Sequence, residues 1–419
     1  MVQKMRKMKD SGIEWIGEIP EGWELIKAKY LFSQRNEKGN STLVLLSPTQ
    51  KYGVIPQSQL EGVVQVKETT DLRAFKTIHI GDFVISLRSF QGGFEFSNYE
   101  GVCSPAYQVF HATKDLSNDF FRYLFKSDGF ISKINSLTVG IREGKNIQYW
   151  DFSNMLLAVP PKEIQIRSAQ YLNAKCTEID TMLSKTRSSI EEYKKLKQAV
   201  ITQAVTKGVR GEQKMKDSGV EWIGTYPSNW KIIKIKWLLH ERKDRSVTGL
   251  EEPLSMSQKK GLIPTKDMDS IPNMASSFIG AKLVYKGDLV FNKLKAHLGV
   301  FSVSKYNGLV SPDYAVYYST GPANLNFLEL LFKTPQYINE FKKKSSGVGA
   351  GLTRLYTGDL YSIYCALPPL VEQEEIADYL DIKCTEIDRL IAKKEQLVKE
   401  LESYKKSLIY EVVTGKREV

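Results

Sequence analysis

Residues Met8 to Tyr30 (MKDSGIEWIGEIPEGWELIKAKY) return as Met215 to Trp237 (MKDSGVEWIGTYPSNWKIIKIKW), 207 positions later and with 14 of 23 identical. A second block, Lys175 to Asp180 (KCTEID), recurs unchanged at Lys383 to Asp388, and Pro160-Pro161 and Gln165 reappear at Pro368-Pro369 and Gln373. The repeat therefore runs through the whole chain with a period near 208. Solenoid and propeller repeats run at about 20 to 50 residues, so a period this long is a duplicated domain with its connector. A pseudo-twofold molecule facing a ligand with two halves is the expectation.

The alternating three-and-four spacing of a coiled-coil seam appears once per copy. In the first it passes through Ala169, Leu172, Cys176, Ile179, Leu183, Ile190, Tyr193, Val200 and Ala204, and in the second through Ala377, Leu380, Cys384, Ile387, Ile391, Val398, Leu401, Tyr404, Leu408 and Val412. One seam position turns polar in both, at Thr186 and Lys394. Each stripe starts after a Pro-Pro, which favours an extended approach and a clean helix start, and ends near Gly208 or Gly415, a residue suited to a helix C-terminus. About 45 residues at 1.5 Å each make a rod of roughly 65 Å, too narrowly striped to bury its face in its own domain. The two rods are expected to pack on each other, antiparallel; packing of each on its own domain is the alternative. Lys194-Lys195 and Lys405-Lys406 on these rods read as a solvated or subunit-facing surface.

The segments between read differently. Short runs such as Phe83-Val84-Ile85, Tyr107 to Phe110, Leu289-Val290-Phe291 and Tyr314 to Tyr317 are bounded by Gly, Pro, Ser and Asn, as strands with turns are. Amphipathic helices are expected at 119–126 and 327–333. The fold class is thus α+β, with two strand-rich domains at 1–158 and 211–366 and long helices within 159–210 and 367–419.

This ordered set of motifs, with the openings EIPEGWE and TYPSNWK and the Gly81-Asp82 and Gly287-Asp288 strand starts, resembles the specificity subunit of type I restriction-modification systems. The resemblance spans essentially the whole chain. It implies two target recognition domains, each reading one half of a split DNA sequence, and long helices that act as spacers. It further implies two methyltransferase subunits using S-adenosylmethionine, and two restriction subunits that translocate DNA with ATP and Mg, as partners on double-stranded DNA. One departure is that Glu372-Gln373 follows the second Pro-Pro, whereas the first copy keeps only Gln165.

Composition agrees with this class. A net charge of +11 favours a polyanionic partner, because clustered Lys and Arg displace the counterions around nucleic acid. No apolar run approaches the roughly 20 residues of a membrane span, and the opening MVQKMRKMKD lacks a signal-peptide stretch, so a cytoplasmic location is expected. The four cysteines form no CxxC pair and read as small core residues rather than a zinc site.

Catalytic motifs are missing. Val159 and Leu367 precede the Pro-Pro pairs where an adenine methyltransferase needs a polar residue, and no aromatic follows. Gly140 to Asn146 lacks the spacing and the Ser/Thr of a P-loop. Asp313, Glu340 and Lys342 fit a loose nuclease pattern, but Ala106 breaks it in the first copy. We therefore expect no catalytic residue, metal or cofactor on this chain.

Base reading needs fixed donors and acceptors with basic residues nearby to grip phosphates. Three segments per copy qualify: Lys51 and Tyr52, matched by Lys259 and Lys260; Arg88, Ser89 and Gln91, matched by Lys293, Lys295 and His297; and Arg142, Lys145 and Asn146, matched by Arg354. The alternatives are that these are merely solvated loops, and that the chain is a duplicated coiled-coil scaffold binding only protein.

Overall fold

The computed structural model describes residues 6–38, 43–60, 72–86, 93–137, 147–258, 260–270, 277–347 and 353–419. It divides into two compact units that do not follow chain order: Met1–Arg187 with Gln396–Val419, and Ser188–Glu395.

Both units are built on the same antiparallel sheet. In the first the strand order is Phe32–Arg35, Gln108–Ala112, Phe83–Ile85, Phe94–Phe96, and in the second it is His240–Glu241, Tyr314–Tyr318, Leu289–Asn292, Phe301–Val303. Alternation along a strand sends side chains to opposite faces, and here both faces are buried. Phe83, Ile85 and Phe110 enter the large core with the helices, while Val84 and Val109 enter a smaller cluster with Leu46, Val54 and Cys103. The second unit divides Leu289 and Phe291 from Val290 in the same way. Continuous apolar runs instead of a polar-apolar alternation follow from that double burial. The amphipathic helices lie at Asn118–Phe125 and Leu325–Phe332, shifted by one or two residues from the sequence expectation.

The last strand of each unit leads directly into a long helix. Leu156–Val159 pairs with Glu24–Lys27, and after Pro160-Pro161 a helix runs over Lys162–Lys207; Tyr364–Leu367 pairs with Lys231–Lys234, and after Pro368-Pro369 a helix runs over Leu370–Val413. The repeated glutamines fasten these starts. Gln165 accepts from the Ser117 amide at 2.8 Å and donates to Pro160 O at 2.9 Å, and Gln373 accepts from the Asn324 amide and donates to Pro322 O and Pro368 O, all at 2.8 Å.

The helices pack antiparallel within each unit. In the first, Leu172, Cys176, Ile179 and Leu183 are buried with Leu408 and Val412, with Val398 and Leu401 against them, while Lys405 reaches Asp180 at 2.6 Å and Arg187 pairs with Glu402. In the second, Lys197 meets Asp388 and Arg210 meets Glu375, each at 2.6 Å, so partners descend as residues ascend. There Leu380, Ile387 and Ile190 are buried, Tyr193, Cys384 and Ile391 are half-buried, and the polar Lys394 lies over the Tyr193 ring at 5.7 Å. Lys405, read from sequence as solvated or subunit-facing, is instead tied across the pair to Asp180. Burial pushes the Cys103 and Cys365 thiols up to about 12, the behaviour of inert core residues.

Candidate nucleic-acid interface

The strongest repeat, Met8 to Tyr30 with Met215 to Trp237, turns out to be a structural seat. Met8–Asp10 pairs with Glu18–Pro20, and Met215–Asp217 with Thr225–Pro227. Trp23 and Trp230 beyond them are 1% exposed. Each receives the C-terminal glycine of a long helix. A Cβ on Gly415 (φ +74°) would lie 2.5 Å from Pro20 Cδ and 2.9 Å from Trp23, and one on Gly208 (φ +79°) would lie 2.6 Å from Gln213 and 3.0 Å from Glu372. The buried Glu372 carboxylate accepts from Trp230 Nε1 and Asn229 Nδ2, each at 3.1 Å. Ile164 holds the matching place in the first unit, and there Trp23 Nε1 has no hydrogen-bond partner among the described residues.

The Gly-Asp pairs are structural as well. Gly81 and Gly287 take φ of +93° and +94°, a conformation suited to glycine, and turn the chain so that the following aspartate is buried. Asp82 accepts from Arg35 Nε at 2.8 Å and the His79 amide at 2.9 Å; Asp288 accepts from Arg242 Nε and the Tyr285 amide, both at 2.8 Å. Arg35 and Arg242, which sequence reading did not single out, pin the start of the strand that precedes each candidate segment.

In the second unit the second and third basic segments meet, and the strand before the first joins them through Tyr314. Lys260 lies at the turn between Leu254–Ser257 and Gly261–Pro264, with Nζ 2.7 Å from Asp269. Lys293, Lys295 and His297 follow the strand Leu289–Asn292, where Asn292 Oδ1 accepts from the Leu294 amide and holds the turn. Lys295 is exposed, and His297 is half-buried with its Nδ1 unpartnered among the described residues. Arg354, in a short strand paired with Ser346, donates to Asp313 at 2.6 Å. The Leu355 amide bonds to Lys293 O at 3.0 Å, which stitches the third segment to the second, and Tyr314 bonds to the Met256 backbone and the Asn292 side chain, which brings in the first.

The electrostatics of this edge favour an anion. Burial pushes the Lys293 ammonium below its usual range, Lys282 and Arg354 push the same way, and Glu241 and Asp313 oppose them. Three cations face two carboxylates. Lys282, buried on a strand and 2.8 Å from Glu241, was missed by sequence reading because an isolated lysine between apolar residues carries no local signal. Asp313 of the loose nuclease pattern is committed to Arg354, while Glu340 approaches Lys343 at 3.9 Å.

In the first unit the structure places Lys51 and Tyr52 at the turn between Leu46–Thr49 and Gly53–Pro56, both exposed, with the Lys51 ammonium 4.9 Å from the Tyr52 ring centre. Gly53 (φ +72°) has its turn against Phe96 O, 2.8 Å from where a Cβ would sit. Arg88, Ser89, Gln91, Arg142, Lys145, Asn146 and, in the second unit, Lys259 lie outside the described residues.

No family model matches the chain. It is 24% identical to the putative type I restriction enzyme MjaX specificity subunit of Methanocaldococcus jannaschii, over 96% of this chain and 95% of that protein. It is 21% identical to the type I restriction enzyme MjaVIII specificity subunit of the same organism, over 95% and 93%. A chain from a structure of the complex assembly and conformational transition of a type I R-M system superposes with a TM-score of 0.70 at 16% identity, covering 95% of this chain and 99% of that one. The chain has the fold of a type I specificity subunit. The HsdS subunit of Thermoanaerobacter tengcongensis shares it with a TM-score of 0.55 at 17% identity, over 95% and 98%. Similarity along nearly the full length of these specificity subunits means that both sheets and both long helices, not one isolated domain, are held in common. Among the described residues, no helix is long and apolar enough to cross a membrane.

Proposed function

We propose that the chain is the DNA-recognition subunit of a type I restriction-modification complex, reading a bipartite target with one half-site per strand-rich unit. The observation that carries this is the full-length likeness to specificity subunits, in sequence and in fold. The meeting of Lys293 and Arg354 on one edge of the second unit supports it, since neighbouring cations are suited to grip phosphates. The chain positions others rather than reacting itself. Methyltransferase subunits carrying S-adenosylmethionine would do the methyl transfer, and restriction subunits using ATP and Mg would translocate and cut. Two copies of each fit a duplicated subunit, and a cytoplasmic location fits such an assembly.

Electrophoretic binding to a random-sequence DNA pool, with and without the methyltransferase subunit, tests the reading. Enrichment of one split motif is expected. A chain that binds the methyltransferase and enriches no sequence would be a protein scaffold instead. Methyl transfer by the chain alone would contradict the non-catalytic role.

A further inference from the structure

The helix Pro335–Lys344 of the second unit ends on three consecutive lysines, Lys342, Lys343 and Lys344, all exposed. Aromatic packing fixes its inner side: Tyr337 and Phe341 are buried, and the Phe341 ring lies 6.0 Å from Phe291 and 5.9 Å from Phe301. A second side rests on the turn Ala296–Leu298, directly after Lys295, where Ile338 Cδ1 is 3.5 Å from where a Cβ on Gly299 would sit. Lys342 stands one turn beyond Ile338 on the same helix face, so it extends the side that bears on the Lys295 segment.

The helix then runs straight into the third candidate segment. The Ser345 hydroxyl donates to Phe341 O at 2.7 Å and closes the helix, and Ser346 pairs with Arg354. Lys344 precedes Ser346 by two residues, each spanning at most about 3.6 Å, and paired strands lie about 5 Å apart. The Lys344 Cα is therefore within about 13 Å of the Arg354 Cα. Duplex DNA presents several phosphates over such a span.

These lysines are not committed to the protein. Lys342 and Lys344 have no ion pair among the described residues, and Lys343 only approaches Glu340, at 3.9 Å. The helix macrodipole favours a cation at a C-terminus, yet the matching helix of the first unit, Asp128–Leu137, ends without one, on Asn135, Ser136 and Leu137. Its lysine, Lys133, stands at the place of Glu340 and lines a cavity with Trp15 and Trp150. The triple lysine is thus an addition to the second unit and no requirement of the fold. A lysine ammonium is a compact charge on a flexible stem, without the planar fork that lets arginine recognise one base edge. Phosphate is the chemistry it suits, whatever the sequence.

We propose that the end of the helix Pro335–Lys344 is a second phosphate-gripping surface, on which Lys342 and Lys344 hold the DNA backbone beside the second half-site. The proposal rests on the DNA-recognition function argued above and adds a surface outside the candidate segments, with a sequence-independent role. The matched positions of the first unit have no such grip, so the two halves of the target are held unequally.

The test is equilibrium binding of the full chain, assembled with its methyltransferase subunit, to a duplex carrying the split motif and to one of unrelated sequence, from about 50 to about 200 mM salt. Each phosphate contact contributes about 0.9 to the slope of log affinity against log salt. Lys342→Gln combined with Lys344→Gln should lower that slope by about 2 on both duplexes, so that wild type loses about tenfold more affinity than the variant across this range. The selected motif should stay the same. Lys342→Arg combined with Lys344→Arg keeps both charges and should keep the wild-type slope. Replacing single phosphates by uncharged methylphosphonates locates the grip: positions beside the second half-site should weaken wild type and leave the glutamine variant unchanged. A glutamine variant with the wild-type slope would overturn the proposal, whether it unfolds at a lower temperature, as a role limited to the helix dipole predicts, or assembles less well with the methyltransferase, as an acidic protein surface over these lysines predicts. A changed motif, a lowered slope in the arginine variant, or methylphosphonate effects confined to the first half-site would overturn it as well. A wild-type chain that enriches no split motif would contradict the functional reading and this inference with it, whereas a wild type that selects its motif alongside an unaltered glutamine variant would contradict this inference alone.

Discussion

Single residues divide into those that hold the repeat together and those that leave it. Glu372 is of the first kind, a buried carboxylate receiving Trp230 Nε1 and Asn229 Nδ2. Removing it by Glu372→Ala strands the buried Trp230 donor, which costs roughly 1 to 3 kcal/mol, while the exposed Asn229 can turn to water. Thermal unfolding should show a loss of about 1 to 3 kcal/mol; Ile164→Ala in the first unit, where the matching tryptophan is already unpartnered among the described residues, removes only half-buried apolar packing and should cost less. Equal losses would show that the hub is not what fastens the second unit. Lys293 and Arg354 are of the second kind. Replacing either by alanine in the assembled complex should alter recognition of one half-site only. A base reader relaxes one position by about 1 to 3 kcal/mol, whereas a phosphate contact weakens all sequences alike and lowers the salt slope by about 1. Equilibrium binding to a panel of target variants at several salt concentrations tells these apart.

At the scale of elements, the long helices are fixed at both ends by local chemistry that sequence displays openly. Pro-Pro, a heptad stripe and a terminal glycine mark Lys162–Lys207 and Leu370–Val413 almost to the residue. The two terminal glycines nevertheless differ in what surrounds them. A left-handed conformation costs a non-glycine residue about 1 to 2 kcal/mol. Gly208→Ala adds a clash with the flexible end of Gln213, while Gly415→Ala drives its methyl into the Pro20 ring and Trp23. Denaturant unfolding should find Gly208→Ala costing about 1 kcal/mol and Gly415→Ala about 2 kcal/mol or more, and the reverse order would contradict this seating of the helix ends. What was not legible is what these ends sit on. The arginine-aspartate staples join residues 47 and 46 apart (Arg35 with Asp82, Arg242 with Asp288), and nothing periodic links the partners. The candidate loops share that difficulty: Lys293 and Arg354 meet through one backbone bond and their charges, while Lys282 is hidden in a strand.

For the whole molecule, the duplication explains why so much could be read from one chain. The repeated openings, Gly-Asp pairs, Pro-Pro starts and long helices each display their structural role twice, and the places where the copies part are informative for the same reason. Where Phe110 becomes Tyr317, a phenylalanine-packed core in the first unit gives way to hydrogen-bonded groups beside Lys282 and Lys293 in the second. Shared seats with divergent loops are what two separate base preferences on one scaffold require. Mapping methylated adenines in cells that express the chain with its methyltransferase subunit tests this most directly. The account predicts a single split motif, present only with the chain, of which Lys293→Ala or Arg354→Ala alters one half and leaves the other intact; methylation that is independent of the chain, or variants that change both halves together, would contradict it.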